Sequence, residues 1–253
     1  MAEISGEPRG AAEGSSSAWR KSLGAGLVGL LIGGAVVALA TQSGRLSSDP
    51  DRERVERIVR DYLLAHPEVI PEAIEKLQQR QFAQAIGANR AAYETPFAGA
   101  WAGAKDGDVV LVEFFDYACG FCRQSNPDIE RLLKEDDNLK VVWRELPVLG
   151  PGSEAAAAVS LAAARGGDFG EFHDTLFELG RPTEANIAKA KKAVGVTATV
   201  SPANVRAELE KNYQLARAVG ATGTPTFVVG DQVLQGAVGY EALKTAIGEA
   251  RAK

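Results

Sequence analysis

The chain has 253 residues, enough for one or two domains, and its 45% hydrophobic and 24% charged residues are ordinary globular usage. A formal net charge of −5, without any block of Lys and Arg, argues against a general nucleic-acid-binding protein. The chain contains two cysteines and two histidines. Because a zinc site needs about four ligands, and the two histidines are far apart along the chain, we predict no metal site. We also predict no cofactor.

The N-terminal region predicts export. Residues 1–22 are rich in Gly, Ser, Ala and Glu and are expected to form a disordered cytoplasmic tail. Residues 23–41 include an uncharged stretch near the length that a helix needs to cross a bilayer. Arg20 and Lys21 precede it, which predicts that its N-terminal end is cytoplasmic. We expect a transmembrane signal anchor, with a cleaved signal peptide as the alternative, because the stretch ends in an Ala-Leu-Ala pattern. Either outcome exposes the cysteines to an oxidising compartment.

Residues 42–95 are predicted to be a linker followed by an N-terminal helical extension. Asp49-Pro50 has the pattern of an N-cap followed by proline at the first helical position. A second helix is expected to begin near Pro71. The apolar stripes of the two helices are Val55, Ile58, Val59, Tyr62 and Leu63, then Ile74, Leu77, Phe82 and Ile86. Short amphipathic helices cannot bury such stripes alone, so residues 49–90 are expected to pack on the main domain, on each other or on another copy of the chain as a homo-oligomer.

Residues 96–253 alternate strand and helix patterns. The β-branched and aromatic run from Val109 to Phe115 predicts a strand, and Arg123 to Lys134 predicts a helix. A second strand is expected over Leu139–Leu146, parallel to the first. Four helices should then fill residues 151–222: Ser153 should cap the first, Asp168 should start the second, Thr183 should cap the third and Ser201 should open the fourth. Short strands on either side of Gly230-Asp231 predict a hairpin, followed by a helix over Tyr240–Ala252.

The two cysteines form a Cys-x-x-Cys pair, Cys119-Gly120-Phe121-Cys122, where a strand should end and a helix begin. Unpaired backbone N–H groups and the helix dipole favour a thiolate at that position. The thiolate is the form that attacks disulfides, so the pair indicates redox chemistry. Two alternatives remain open at this point: a structural disulfide, which would close too small a loop to contribute much, and half of a metal site.

Three segments carry a resemblance to a known family. They are Val112-Glu113-Phe114-Phe115-Asp116-Tyr117-Ala118-Cys119-Gly120-Phe121-Cys122, Gly223-Thr224-Pro225-Thr226-Phe227 and Gly236-Ala237-Val238-Gly239-Tyr240. Residues 96–253 resemble the DsbA-like thiol–disulfide oxidoreductases of the bacterial periplasm. The resemblance implies an α/β thioredoxin fold, with a central mixed sheet and a helical insertion at about 151–222. The helices before it are similar to the extension of a membrane-proximal branch that includes suppressor-of-copper-sensitivity type proteins.

The resemblance also implies roles for individual residues. Cys119 would be the exposed nucleophile and Cys122 the buried resolving thiol. Glu113 would be a buried acid that relays a proton to or from Cys122. Thr224 and a cis Pro225 would pair with an extended substrate peptide and would obstruct metal binding. Gly120 and Phe121 would also face substrate. Asp116 and Tyr117 are expected to shape the loop, and His66 and His173 to be ordinary helix residues.

The direction of the reaction stays open, because many oxidase members of the resembling family carry Pro and His between the cysteines. Phe121 cannot stabilise a thiolate as that His can, so we predict a less oxidising pair. An isomerase or reductase would need to be kept reduced and would work as an oligomer. Two further alternatives are a soft-metal carrier and a membrane-tethered structural protein with a vestigial thioredoxin fold. The carrier is an alternative because Cu(I) binds thiolates well. The predicted partners are exported proteins with cysteines, a membrane redox protein that recharges the dithiol, and the inner membrane.

Overall fold

The computed structural model describes residues 50–252. Its elements in chain order are α1 (Pro50–Ala65), α2 (Val69–Glu94), β1 (Trp101–Gly103), β2 (Val109–Phe115), α3 (Gly120–Glu135), β3 (Leu139–Glu145), α4 (Pro151–Gly166), α5 (Phe169–Leu179), α6 (Glu184–Val194), α7 (Pro202–Ala218), β4 (Thr226–Val229), β5 (Gln232–Gln235) and α8 (Tyr240–Arg251). The predicted order of strands and helices is confirmed. The three-residue strand β1 has no clear signal in the sequence and was not predicted.

The predicted tail at 1–22 and apolar segment at 23–41 lie outside the described residues. Within residues 50–252, no helix combines the length and the apolar character needed to cross a membrane.

The chain divides into two compact units, the first ending at Ile70 and the second running from Pro71. Helix α1 lies in the first unit, and four of the five residues of its predicted apolar stripe are exposed. Val55, Ile58, Val59 and Tyr62 are each at least half exposed. Charged residues between them form pairs along the helix, such as Arg52 with Glu56 at 2.9 Å, and such exposed pairs contribute little stability. The fifth residue of the stripe, Leu63, is half-buried.

The second unit is built on a five-stranded sheet of order β1-β3-β2-β4-β5. Strands β2 and β3 are parallel, as predicted, and the other neighbours are antiparallel. Helix α3 links the parallel pair, since parallel strands need a crossover connection. Strand β2 lies at the centre and is buried along almost its whole length, which explains its near-continuous run of apolar residues.

Alternate side chains of β2 face two different cores, because successive residues of a strand point to opposite faces. Val109 and Leu111 pack with α3 and α8, in a cluster with Ile129 and Leu243. The other face packs against α2 and α7; its cluster includes Ile86, Tyr93, Val112, Phe114, Leu215 and Val219. Helices α4, α5 and α6 form a third cluster around Phe115, Tyr117 and both cysteines. The dithiol therefore lies where the sheet meets the helical insertion.

Side-chain capping explains two of the four helix starts in the insertion, and one predicted cap is wrong. Thr183 and Ser201 accept hydrogen bonds from the backbone N–H groups three residues on, as predicted for N-caps. Ser153 is not a cap. Helix α4 begins at Pro151 after Gly150, because proline is well suited to the first helical position, and the Ser153 hydroxyl is buried without a partner.

A buried arginine fixes the C-terminal end of α2 to the sheet. Arg144 of β3 is 1% exposed. Its guanidinium donates to the backbone carbonyls of Tyr93 at 3.0 Å and Thr95 at 2.6 Å, and to that of Ala92. It also donates to Asn212 on α7 at 2.9 Å. The last carbonyls of a helix have no partner within that helix, and here one side chain satisfies two of them, Ala92 and Tyr93, together with the carbonyl of Thr95 just beyond the helix end.

Candidate active site

The turn between β2 and α3 places the two cysteines differently. Cys119 is the N-cap residue of α3, and Cys122 lies one turn inside the helix. Both are free thiols and both are buried, Cys119 at 6% exposure and Cys122 completely. The expectation of an exposed Cys119 is therefore wrong, because the sulfur lies against the Thr224 loop. Cys119 Sγ lies 3.1 Å from the backbone carbonyl oxygen of Thr224. The Thr224–Pro225 peptide bond is cis, as the resemblance implied.

The two thiols have opposite pKa shifts. A hydrogen bond from the Cys122 thiol lowers the pKa of Cys119 to about 5, with help from Thr224 and from the backbone N–H groups of Cys122 and Phe121, and against the effect of burial. Burial raises the pKa of Cys122 well above its ordinary value, and its hydrogen bond to Cys119 and the charge of Glu113 add to this rise. One sulfur is therefore a thiolate at neutral pH while its neighbour keeps its proton.

Glu113 lies on β2 with its side chain fully buried. Neither carboxyl oxygen has a hydrogen-bond partner within the described residues. Burial raises the pKa of Glu113 to about 8, and the Cys119 thiolate adds to the rise. Among the described residues, the indole N–H of Trp143 is the one group that lowers the pKa of Glu113. Trp143 faces Glu113 on β3, but its N–H lies outside the geometry of a normal hydrogen bond. An acid with this pKa can exchange a proton near neutral pH.

The structure brings together the residues predicted at the site. Cys119, Cys122 and Glu113 interact electrostatically, and Thr224 contacts the first cysteine. Gly120 is exposed, and the Phe121 side chain is 63% exposed beside the dithiol. His173 is the packed helix residue that was expected, with burial lowering its pKa to about 3.

A second buried acid near the site was missed by the sequence reasoning. Glu145, the last residue of β3, is 4% exposed, and burial raises its pKa to about 8, partly offset by Ser160. The hydroxyl of Tyr117 donates to Ser160 at 2.9 Å and lies 3.5 Å from His173 Nδ1. A carboxylate directly before a Leu-Pro pair gives no sequence signal of burial, because it also suits a solvent-exposed strand end.

Within residues 50–252, no group of three His, Cys, Asp or Glu side chains is arranged to hold a metal ion. The chemistry that these residues offer is that of a dithiol: a stabilised thiolate at a helix N-terminus, a protonated partner sulfur and a buried acid close to both.

The sheet has the strand order β1-β3-β2-β4-β5, and a block of helices interrupts it. The Cys-x-x-Cys motif lies at the start of α3, with a cis-proline beside it. Together these features define a thioredoxin-like domain with a helical insertion. The sequence model for the DSBA-like thioredoxin domain matches residues 110–248, more than half of the chain. The chain belongs to that family. A second model, for the N-terminal domain of the copper resistance protein ScsC, matches residues 51–84.

Solved structures agree with this assignment. A linker-deletion variant of ScsC from Proteus mirabilis is 28% identical with a TM-score of 0.68, and the match covers 82% of this chain and 98% of that one. A thioredoxin-like oxidoreductase from Silicibacter pomeroyi is 35% identical with a TM-score of 0.62, covering 65% of this chain and 99% of that one.

Curated relatives share only part of their length with this chain. Disulfide bond formation protein D of Bacillus subtilis is 27% identical over 163 residues, which is 57% of this chain and 73% of that protein. Two further relatives are Na⁺/H⁺ antiporters of Salinispora species, and each is 29% identical to this chain. The match covers only 24% of the length of each antiporter.

Proposed function

We propose that the protein is a thiol–disulfide oxidoreductase that acts on exported proteins through the Cys119–Cys122 dithiol. The observation that carries the proposal is the opposite pair of pKa shifts, about 5 for Cys119 and well above the ordinary value for Cys122. A structural cysteine pair has no need of a stabilised thiolate, whereas thiol–disulfide exchange requires one.

The reaction follows from the positions of the three groups. The Cys119 thiolate attacks one sulfur of a substrate disulfide; the new bond is a mixed disulfide, and the other substrate sulfur leaves as a thiolate. Cys122 then loses its proton to the ionised form of Glu113 and attacks the Cys119 sulfur; the second substrate sulfur leaves as a thiolate, and an intramolecular disulfide remains. Oxidation of a substrate is the same sequence in reverse, with Glu113 returning the proton.

The site favours Cys119 as the sulfur that meets substrate. Cys119 lies at the N-terminus of α3, next to the exposed Gly120 and Phe121, whereas Cys122 is fully buried. The backbone of Thr224, which already contacts Cys119, is placed to pair with an extended peptide as in β-augmentation.

The compartment follows from the family. A similar structure is a periplasmic thioredoxin-like protein of Salmonella enterica, 30% identical, so we place the dithiol in the periplasm. A signal at residues 23–41, either retained in the inner membrane or cleaved, would deliver it there. A membrane protein that exchanges electrons with the dithiol would then complete the cycle.

A second candidate function is a disulfide isomerase that works as an oligomer. It is favoured by the exposed apolar stripe of α1, which a second copy of the chain would cover, and by the match of residues 51–84 to the ScsC N-terminal domain. Several dithiols in one assembly would let substrate disulfides be broken and remade.

The test of the proposal is the reduction of insulin by dithiothreitol, with wild type, Cys119→Ala and Cys122→Ala compared. We expect catalysis by wild type and loss of it in both variants; a wild type no better than Cys119→Ala would refute an enzymatic role. Refolding of a scrambled-disulfide protein, measured beside the mass of the assembly in solution, then separates isomerase from oxidase. An isomerase recovers native disulfides and loses that ability when the assembly is split.

A further inference from the structure

A cavity of about 140 Å³ lies between α3, α5 and the strands β1 and β3. It is separate from the dithiol, since neither the cysteines nor the Thr224 loop line it. A cavity of about 150 Å³ can hold a molecule of the size of benzene, so this one has room for a small organic ligand. Ile129 and Leu133 of α3 contribute an apolar wall, and the exposed residues Glu130 and Asp174 lie at its entrance. The cavity therefore combines an apolar interior with an acidic entrance.

Three aromatic rings form another part of the wall. Trp143, Phe169 and His173 all line the cavity, and their ring centroids lie 5.3 to 5.5 Å from one another. The negative face of an aromatic ring attracts a cation, and that of tryptophan does so most strongly. This wall therefore favours a cationic ligand over an anionic one.

The imidazole of His173 carries an acceptor that lacks a donor. Burial lowers the pKa of His173 to about 3, so at neutral pH only one of its nitrogens carries a hydrogen. The Tyr117 hydroxyl donates to Ser160 at 2.9 Å, and its oxygen is therefore the acceptor for His173 Nδ1, which lies 3.5 Å away. The hydrogen is thus on Nδ1, and Nε2 keeps a free lone pair.

That lone pair has no hydrogen-bond partner among the residues that the structure describes, and the same is true of Asn126 Oδ1, on the α3 side of the cavity. A buried polar atom without a partner carries a free-energy cost. The third such atom in the wall, the indole nitrogen of Trp143, is a donor that interacts with Glu113. The cavity wall therefore lacks hydrogen-bond donors and not acceptors.

The entrance has an excess of negative charge. Glu130 is paired with Lys134 at 3.4 Å. For Asp174, burial raises the pKa, the charges of Glu130 and Glu178 raise it further, and no cation within residues 50–252 lowers it. A bound cation would balance this charge.

We propose that the cavity binds a small protonated primary amine. The ammonium group donates to His173 Nε2 and Asn126 Oδ1, and Asp174 balances its charge. The alkyl chain lies against Ile129 and Leu133. A quaternary ammonium ion has no N–H group for the two acceptors. A metal ion does not fit, because no three His, Cys, Asp or Glu side chains of the described residues are arranged to hold one. Binding at this site does not depend on thiol–disulfide exchange.

The indole N–H signal of Trp143 in the NMR spectrum reports on binding, because this tryptophan lines the cavity. The full chain with isotope-labelled tryptophan is titrated with n-butylammonium chloride at neutral pH and constant ionic strength. A Trp143→Phe sample identifies the signal among those of the three tryptophans. The matched probes are 1-butanol, which is neutral, sodium butyrate, which is anionic, and tetramethylammonium chloride, a cation without N–H groups.

The variants Asp174→Asn and His173→Phe remove the charge and the acceptor. Glu171→Gln is the control, because Glu171 is an exposed acid of α5 that does not line the cavity. We expect a saturable shift with half-saturation near about 1 mM butylammonium, which a ligand of five non-hydrogen atoms can reach. Binding should weaken about tenfold in each of the two variants, because each removes a charge-assisted interaction, and should stay within about twofold in the control. The neutral alcohol and tetramethylammonium should bind about tenfold more weakly than butylammonium, and butyrate more weakly still.

Equal half-saturation by 1-butanol and butylammonium would overturn the recognition of charge, and equal half-saturation by tetramethylammonium would overturn the role of the two acceptors. Equal binding by Asp174→Asn and Glu171→Gln would overturn the role of Asp174, and this comparison leaves the buried residues intact if His173→Phe does not fold. A Trp143 signal that shows no saturable shift up to about 100 mM butylammonium would overturn the site itself, since the cavity would then hold only water.

Discussion

Two buried acids, Glu113 beside the dithiol and Glu145 at the end of β3, predict an unusual pH dependence of stability. Glu113 and Glu145 are both buried, and burial raises the pKa of each to about 8 from an ordinary value of 4.5. At any pH between those values, the folded protein holds a proton that the unfolded chain has released. Stability therefore falls as the pH rises from about 4.5 to about 8 and levels off above that.

The size of the effect follows from linkage. Each proton held only by the folded state changes the free energy of unfolding by about 1.4 kcal/mol for every pH unit. Between pH 6.5 and 7.5, His173 is neutral in the folded state, because burial lowers its pKa to about 3. The unfolded chain still releases part of a proton from it over this range, which opposes the effect of the acids by only about 0.3 kcal/mol. The two acids together should then remove about 2 to 3 kcal/mol of stability across that single pH unit.

The assay is urea unfolding of the oxidised protein at several pH values, because an intact disulfide removes the titration of both thiols. It also removes the smaller contribution of the Cys119 thiolate to the pKa of Glu113 and leaves burial, the main cause of its rise. Wild type is compared with Glu113→Gln, Glu145→Gln and the double variant, and with the exposed Glu171→Gln as a control. We expect each buried substitution to halve the slope of stability against pH, the double variant to be nearly flat and the control to match wild type. The slope is the readout, because a buried amide also changes stability by an amount independent of pH.

Parallel curves for wild type and the double variant between pH 5 and 8 would refute the reasoning, since they would mean that water or a rearranged donor ionises both acids in the folded state.

Three further predictions concern single groups. The rate of Cys119 alkylation by iodoacetamide should rise with pH with a midpoint near 5. Cys122→Ala should move that midpoint upwards, because the hydrogen bond donated by Cys122 is lost. An unchanged midpoint would show that the Cys122 thiol does not stabilise the Cys119 thiolate. His173→Phe should reduce the loss of stability on acidification from pH 6.5 towards 3. Burial lowers the pKa of His173 to about 3, so over this range the proton binds the unfolded chain and not the folded one. Thermal melts of both proteins at pH 4 and 7 measure the difference. Arg144→Met should cost about 3 to 5 kcal/mol in urea unfolding, since it leaves buried backbone carbonyls at the end of α2 unpaired. Arg131→Met, which breaks an exposed pair, should cost less than about 1 kcal/mol; equal losses would contradict the stabilising role given to the Arg144 hydrogen bonds.

The sequence predicted what depends on local patterns. Strand β2 was visible because it is buried on both faces, and the hairpin because Gly230-Asp231 gives a two-residue turn between two short apolar runs. The Cys-x-x-Cys motif located the turn, and the resemblance supplied the partner loop at Thr224, which lies 105 residues further along the chain. Contacts of that separation leave no periodic trace in a single sequence.

What could not be predicted depends on tertiary burial. Arg144 and Glu145 are adjacent charged residues at a strand end, a pattern that ordinarily indicates solvent. One of them is buried because helix carbonyls surround its guanidinium, and the other because the helical insertion covers it. Strand β1 is too short to show alternation, and its pairing with β3 is decided by packing and not by the propensity of Trp101-Ala102-Gly103.

The guanidinium that pairs with the end of α2 also bears on where the redox domain begins. A polypeptide shortened to begin at residue 96 would keep Arg144 inside the protein and lose every backbone oxygen that faces it from residues 92, 93 and 95. Helix α2 would be gone as well, and with it Ile86 and Tyr93, which complete one side of the sheet. The redox domain thus starts within the helix that precedes it, well before its first strand.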